Sequence, residues 1–198
     1  MSNRSSHRER VSRARRKQQI KTRIIIGLAG LVLVAVIGFL LFNGLRPAAG
    51  EYVQVAANAG SHVDIGEDPG PNSSNPPTGG AHYASEYDAG FYDENDTEVL
   101  QDYPEGFLIH NLEHGYVIFW YNCSLLDDTA CAELKSDIKN VMAETKGFKL
   151  IAFPWESLDV PLAMTSWDRI QEFETFDAGA ARRFVKSNLN RSPEPEAN

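Results

Sequence analysis

Four of the five histidines in this 198-residue chain, His62, His82, His110 and His114, fall within a short central stretch. Two of them share the run His110-Asn111-Leu112-Glu113-His114 with a glutamate. Imidazole is a ligand for zinc, copper, nickel and iron. A metal shell built on His110 and His114 would take His82 and His62 as further ligands. Glu113 would be a ligand or an acceptor that orients an imidazole, and Met164 would add a thioether. Nitrogen and carboxylate donors favour zinc, whereas the sulfur favours copper(I), so copper or zinc is the expected ion. With no ion to hold, the same side chains would serve as a polar network bonding loop backbone.

The run also spells H-x-x-E-H, in which two histidines hold zinc and the glutamate activates water. That chemistry would make Glu113 the general base of a zinc-dependent hydrolase, and it needs all three residues on one helix. Other catalytic signatures are weaker. Ser73, Ser74 and Ser85 lie near the histidines without a G-x-S-x-G elbow, and no Walker loop or dinucleotide fingerprint occurs. Binding is therefore expected ahead of catalysis.

The elements that must position these residues follow from the flanking pattern. Phe107–Ile109 and Tyr116–Tyr121 are apolar runs rich in aromatic and β-branched residues, and each reads as a buried strand. The polar knot between them, closed by Gly115, suits a tight hairpin. His110 and His114 would then face each other with Cβ atoms about 4.5–5.5 Å apart. A helix would also put them on one face. Upstream, Gly66–Ala81 contains four prolines and four glycines, which exclude a helix or a central strand. Loops of this length are functional or disordered. His62 and His82 bracket it, and Pro76-Pro77 stiffens the approach to His82. Its length leaves open whether His62 reaches the other three histidines. Asp64, Glu67 and Asp68 lack the spacing of a calcium-binding EF-hand.

Beyond the histidines, Asp127-Asp128-Thr129 offers N-caps for a helix with Leu134, Ile138, Val141 and Met142 on its apolar face, stopping at Lys146-Gly147. Phe148–Phe153 reads as a strand ending at Pro154, and Val160–Ser166 as another. Asp177 caps a last helix with the stripe Ala181, Phe184, Val185 and Leu189. A further short strand is expected at Tyr52–Val55. The fold class is α+β, a mainly antiparallel sheet with packed helices, over residues 61–190. That length is enough to bury a core.

Charge divides the chain. Residues 1–23 carry nine Lys/Arg and one acid, whereas residues 47–198 carry nine Lys/Arg and twenty-six acids. Between them Ile24–Phe42 runs for nineteen residues without a charge. As a helix it would span about 28 Å, close to the roughly 30 Å bilayer core. It is longer than the about 7–15 apolar residues of a signal peptide, although Ala48-Ala49-Gly50 offers a cleavage site. The basic flank predicts a cytoplasmic N-terminus. The expected organisation is a basic cytoplasmic tail at 1–23, one N-terminal transmembrane helix at 24–42, a juxtamembrane linker at 43–60, an extracytoplasmic domain at 61–190 and a polar tail at 191–198. The chain would be a single-pass protein of the cell membrane. Nucleic acid is excluded, because the acidic domain repels phosphate and the basic block is short. Cys123 and Cys131 would be oxidised in that compartment, stapling a strand end to a helix start, and they lack C-x-x-C spacing. An alternative role is an interaction or assembly protein docking on a membrane-protein partner. Loop 66–81 with Tyr83, Tyr87, Phe91 and Tyr92 would then be its contact surface.

Two motifs together, Asn75-Pro76-Pro77-Thr78-Gly79-Gly80-Ala81-His82-Tyr83 and His110-Asn111-Leu112-Glu113-His114-Gly115, resemble the domain-of-unknown-function 3105 family. Its members are typically bacterial, often with one N-terminal membrane span. The resemblance covers roughly His62 to Phe184. The family pattern is nearer P-P-T-S-G-P-H-Y, from which Gly79 and Ala81 depart, and its second motif commonly ends in two glycines where Gly115-Tyr116 stands here. Thr165-Ser166-Trp167 resembles a T-A-W pattern. No departure removes a histidine or Glu113. The resemblance implies a common topology and a shared site, and it implies no activity.

Overall fold

A computed structural model of the chain describes residues 21, 23–39 and 47–196. The strands are β1 (Glu51–Tyr52), β2 (His62–Val63), β3 (His82–Tyr83), β4 (Gly90–Phe91), β5 (Val117–Tyr121), β6 (Leu150–Pro154), β7 (Leu162–Ser166) and β8 (Arg169–Phe173). The helices after Pro47 are α1 (Glu105–Glu113), α2 (Asp128–Glu144) and α3 (Ala178–Asn188). Asp127 and Asp177 cap α2 and α3, accepting from the amides of Ala130 and Ala180. Lys146 and Gly147, both at positive φ, close α2 as its sequence directs.

Six strands form one sheet in the order β1-β8-β7-β5-β6-β4. Its β1–β8, β8–β7 and β7–β5 pairs are antiparallel, and β5–β6 and β6–β4 are parallel. The fold is α+β with a mainly antiparallel sheet, and α2 is the crossover that the parallel β5–β6 pair requires. Every residue of β5, β6 and β7 is buried, and side-chain alternation divides them between two cores. Val117, Phe119, Tyr121, Leu150, Leu162 and Met164 pack with Ile138 of α2 and Phe184 of α3. Ile118, Trp120, Ile151, Phe153 and Ala163 pack with Leu108 and Leu112 of α1 and with Tyr83 and Tyr87.

Three expectations need correction. Phe107–Ile109 is not a hairpin strand but the middle of α1. Pro104 at the N-cap and Gly115 beyond the C-terminus punctuate a helix, and burial of its Phe and Leu side chains outweighs the β preference of Phe107 and Ile109. Of the aromatic residues expected on a contact surface, two lie in the core, and Phe91 and Tyr92 are half-buried against it. Tyr83 and Tyr87 are buried, Tyr87 stacks on Phe107, and Phe91 stacks on Tyr121. Third, β8 stands where no strand was expected, because its half-exposed residues carry no apolar run.

Loop 66–81 is packed rather than loose. Residues from Pro76 to Ala81 are buried, and Asn75 accepts from the Trp155 indole and the Ser157 hydroxyl while donating to the Ser157 carbonyl. The loop is the crossover joining parallel β2 and β3.

The N-terminal segment is separate from the unit that starts at Pro47. Residues 23–39 are helical with exposed side chains. Residues 40–42 of the apolar run, 43–46 of the linker and most of the basic tail, His7 included, lie outside the described residues. Among the described residues no helix is long and apolar enough to cross a membrane.

Candidate metal centre

The register of β2 and β3 sets His62 directly opposite His82, with ring centroids 4.9 Å apart. This answers whether His62 reaches the other histidines. Helix α1 supplies the remaining residues. Its C-terminus is a Schellman turn, in which Tyr116 N–H donates to Asn111 O and Gly115 N–H to Leu112 O. Gly115 has φ +83°, and a Cβ there would lie 2.7 Å from Asn190 Cα, so glycine is required. The turn leaves His114 at the C-cap, its ring 4.3 Å from that of His110.

The carbonyls beyond this helix end are satisfied by the rest of the fold. Glu113 O accepts from Glu194 N–H, Gly115 O from Asn190 N–H, and His114 O from buried Lys149 Nζ, which also donates to Pro195 O. The lysine cation stands at the negative end of the helix dipole. The polar tail thus straps the motif helix, a role that its composition did not announce.

Within the cluster, ligand atoms of His62, His82, His110 and Glu113 all lie within 4.8 Å of one another. Donors around tetrahedral zinc sit roughly 3.3–3.6 Å apart, as bond lengths of about 2.0–2.2 Å dictate. The donors are assembled near that spacing rather than at it, and the His82 Nε2–Glu113 Oε2 pair, 2.9 Å apart, is closer than a shared zinc ion would hold it. His82 is fully buried, Glu113 and His114 are buried, and His62 is exposed, so the cluster runs from the interior to the surface. Burial first, then the neighbouring His114 and His82, hold the His110 pKa below the ordinary histidine value and favour its neutral, ligating form. Its Nδ1 is buried with no hydrogen-bond partner.

His82 is the informative residue. Its Nδ1 lies 3.1 Å from the Gly80 carbonyl oxygen and its Nε2 lies 2.9 Å from Glu113 Oε2. Both neighbours are acceptors. A neutral imidazole donates through only one nitrogen, so either tautomer leaves one lone pair facing another. A second proton on His82 removes the conflict, and so does a metal ion between Nε2 and the carboxylate. With Nδ1–H on a backbone carbonyl, His82 has the outer-shell bond typical of metal-bound histidine.

Two further placements complete the site. Met164 is fully buried in the core formed with α2 and α3, apart from the cluster of α1, and it is not brought to the histidines. Glu86 was not anticipated, yet its Oε2 lies 3.0 Å from His114 Nδ1. Cys123 and Cys131 form a disulfide that joins the turn after β5 to the first turn of α2.

No curated protein and no solved structure matches the chain. A family model matches residues 71–198, which hold His82, Glu86, His110, Glu113 and His114 while His62 precedes them, and the chain belongs to that family, described as protein of unknown function (DUF3105).

Proposed function

We propose that the protein is a membrane-anchored extracytoplasmic module that binds a divalent metal ion, zinc or copper(II), through His62, His82, His110 and Glu113. The observation that carries this reading is the environment of His82, whose two ring nitrogens both face acceptors while Nε2 points at Glu113. Three imidazoles and one carboxylate suit either ion. The position of Met164 removes the thioether that would favour copper(I). The anchor and its orientation rest on the uncharged run at 24–42 and the basic flank before it.

Helix α1 also supplies part of the geometry that a zinc-dependent hydrolase needs, since His110 and Glu113 share it and His114 caps it. Glu113 Oε2 lies 2.9 Å from His82 Nε2, inside the proposed donor set, and this reading therefore uses Glu113 as a ligand and not as the base that activates water.

The test is elemental analysis of the full-length chain, loaded separately with zinc and copper(II) and freed of excess, beside His62→Ala and His62→Ala/His82→Ala variants. The wild type is expected to retain at least one metal ion per chain, His62→Ala to hold one ion more weakly, and the double variant to lose that ion. His62 is exposed, so its substitution tests the site without disturbing the core. Full retention in both variants, or no retention by the wild type, overturns the reading.

A further inference from the structure

Glu86 and His114 are not needed for the site just described, yet they form a second donor set beside it. Ligand atoms of Glu86, His110 and His114 lie within 4.8 Å of one another, so His110 belongs to both sets. Glu113 is shared as well, because its carboxylate also lies within 4.8 Å of ligand atoms of His114 and Glu194. A carboxylate has two oxygens and can serve two ions as it stands, whereas an imidazole does so only as the imidazolate, after its remaining N–H proton has passed to solvent on metal binding. The buried His110 Nδ1 has no hydrogen-bond partner among the described residues.

Charge favours a second ion too. Glu86, Glu113 and Glu194 bring three carboxylates to one end of α1, where the helix dipole is already negative. The Lys149 ammonium on the His114 carbonyl and the hydrogen bond from His114 Nδ1 to Glu86 Oε2 answer only part of that charge.

We propose that the centre is dinuclear. The second divalent cation binds between Glu86 and His114, with His110 and Glu113 shared between the two ions and Glu194 of the C-terminal strap at its margin. This rests on the metal-centre reading above and adds the second position to it.

The experiment is zinc stoichiometry of the full-length chain against the same chain carrying Glu86→Gln/His114→Ala, with Glu86→Gln alone as the near-isosteric control for folding. Two zinc ions per chain are expected in the wild type, one in the double variant, and a weakened second ion in Glu86→Gln. Copper(II)-loaded wild type is expected to show a half-field electron paramagnetic resonance signal from coupled ions, absent in the double variant. One ion per chain in wild type and double variant alike, with no coupling signal, overturns the second position and leaves the first standing. No ion in either overturns both.

Discussion

At the scale of single residues, Asn111 does for Glu86 what the Gly80 carbonyl does for His82. Its side chain is fully buried, its Oδ1 accepts from Tyr87 N–H at 3.1 Å, and its Nδ2 donates to Tyr87 O at 2.9 Å. This amide fixes residues 85–87 on α1 and so delivers Glu86 to His114. Asn111→Leu leaves both Tyr87 backbone groups buried without partners, at about 1–3 kcal/mol each. Urea unfolding should show a loss on that scale, and a change below about 0.5 kcal/mol, the size of an ordinary surface substitution, would refute the role. The histidines and Glu113 were legible in the sequence because histidine is scarce here and the motif compact. Glu86 was not, being one acid among many in an acidic segment, brought to His114 by the Asn111–Tyr87 contact rather than by spacing. Met164 misled for a different reason. Its residue type suited copper, but in a strand the parity of the position decides the face, and Met164 shares its parity with core residue Leu162.

At the scale of elements, the least legible was α1 itself. Short, buried on nearly every side and crowded with Phe, Leu and Ile, it shows no amphipathic stripe, so only its Pro104 and Gly115 boundaries signalled a helix. Gly106 adds a tertiary reason for its sequence, since a Cβ there would collide with the Tyr83 ring. The helices α2 and α3 were legible because one face of each meets solvent and both carry Asp caps. These two helices are tied by Arg182, whose Nε donates to both Glu144 carboxylate oxygens at 2.8 Å and whose Nη2 donates to Oε1 at 2.7 Å. The guanidinium holds the Glu144 carboxyl below its usual pKa. A carboxyl whose pKa is lower folded than unfolded stabilises the fold above the unfolded value, about 4.3, and loses that contribution as pH falls through the folded value. The pair is exposed, so the effect is small. Glu144→Gln should therefore melt slightly below wild type at all pH values above about 5, with the gap closing under more acid conditions. A gap that widens in acid would refute the assignment.

At the scale of the whole molecule, the sheet separates two cores, a division not read from the sequence. The lost α1 hid this division, because a hairpin at 106–121 would leave the second face of β5 uncovered. The histidine cluster belongs to the α1 side, where Leu108 and Leu112 of the motif helix pack on Ile118 and Trp120. The disulfide belongs to the other side, where Cys123 packs against the core formed with α2 and α3. The Cys123–Cys131 loop is short, and closing one of that size constrains the unfolded chain by about 2–3 kcal/mol. Its native-state contacts lie away from the histidines, so loss of the bond should lower global stability without altering the centre. Cys123→Ser/Cys131→Ser is therefore expected to shift the urea midpoint downward by an amount equivalent to about 2–3 kcal/mol and to keep the zinc stoichiometry of the wild type under native conditions. Loss of metal from this variant while it remains folded would mean that β5, shared by both cores, transmits the state of the disulfide to α1, and the independence of the two faces would be wrong.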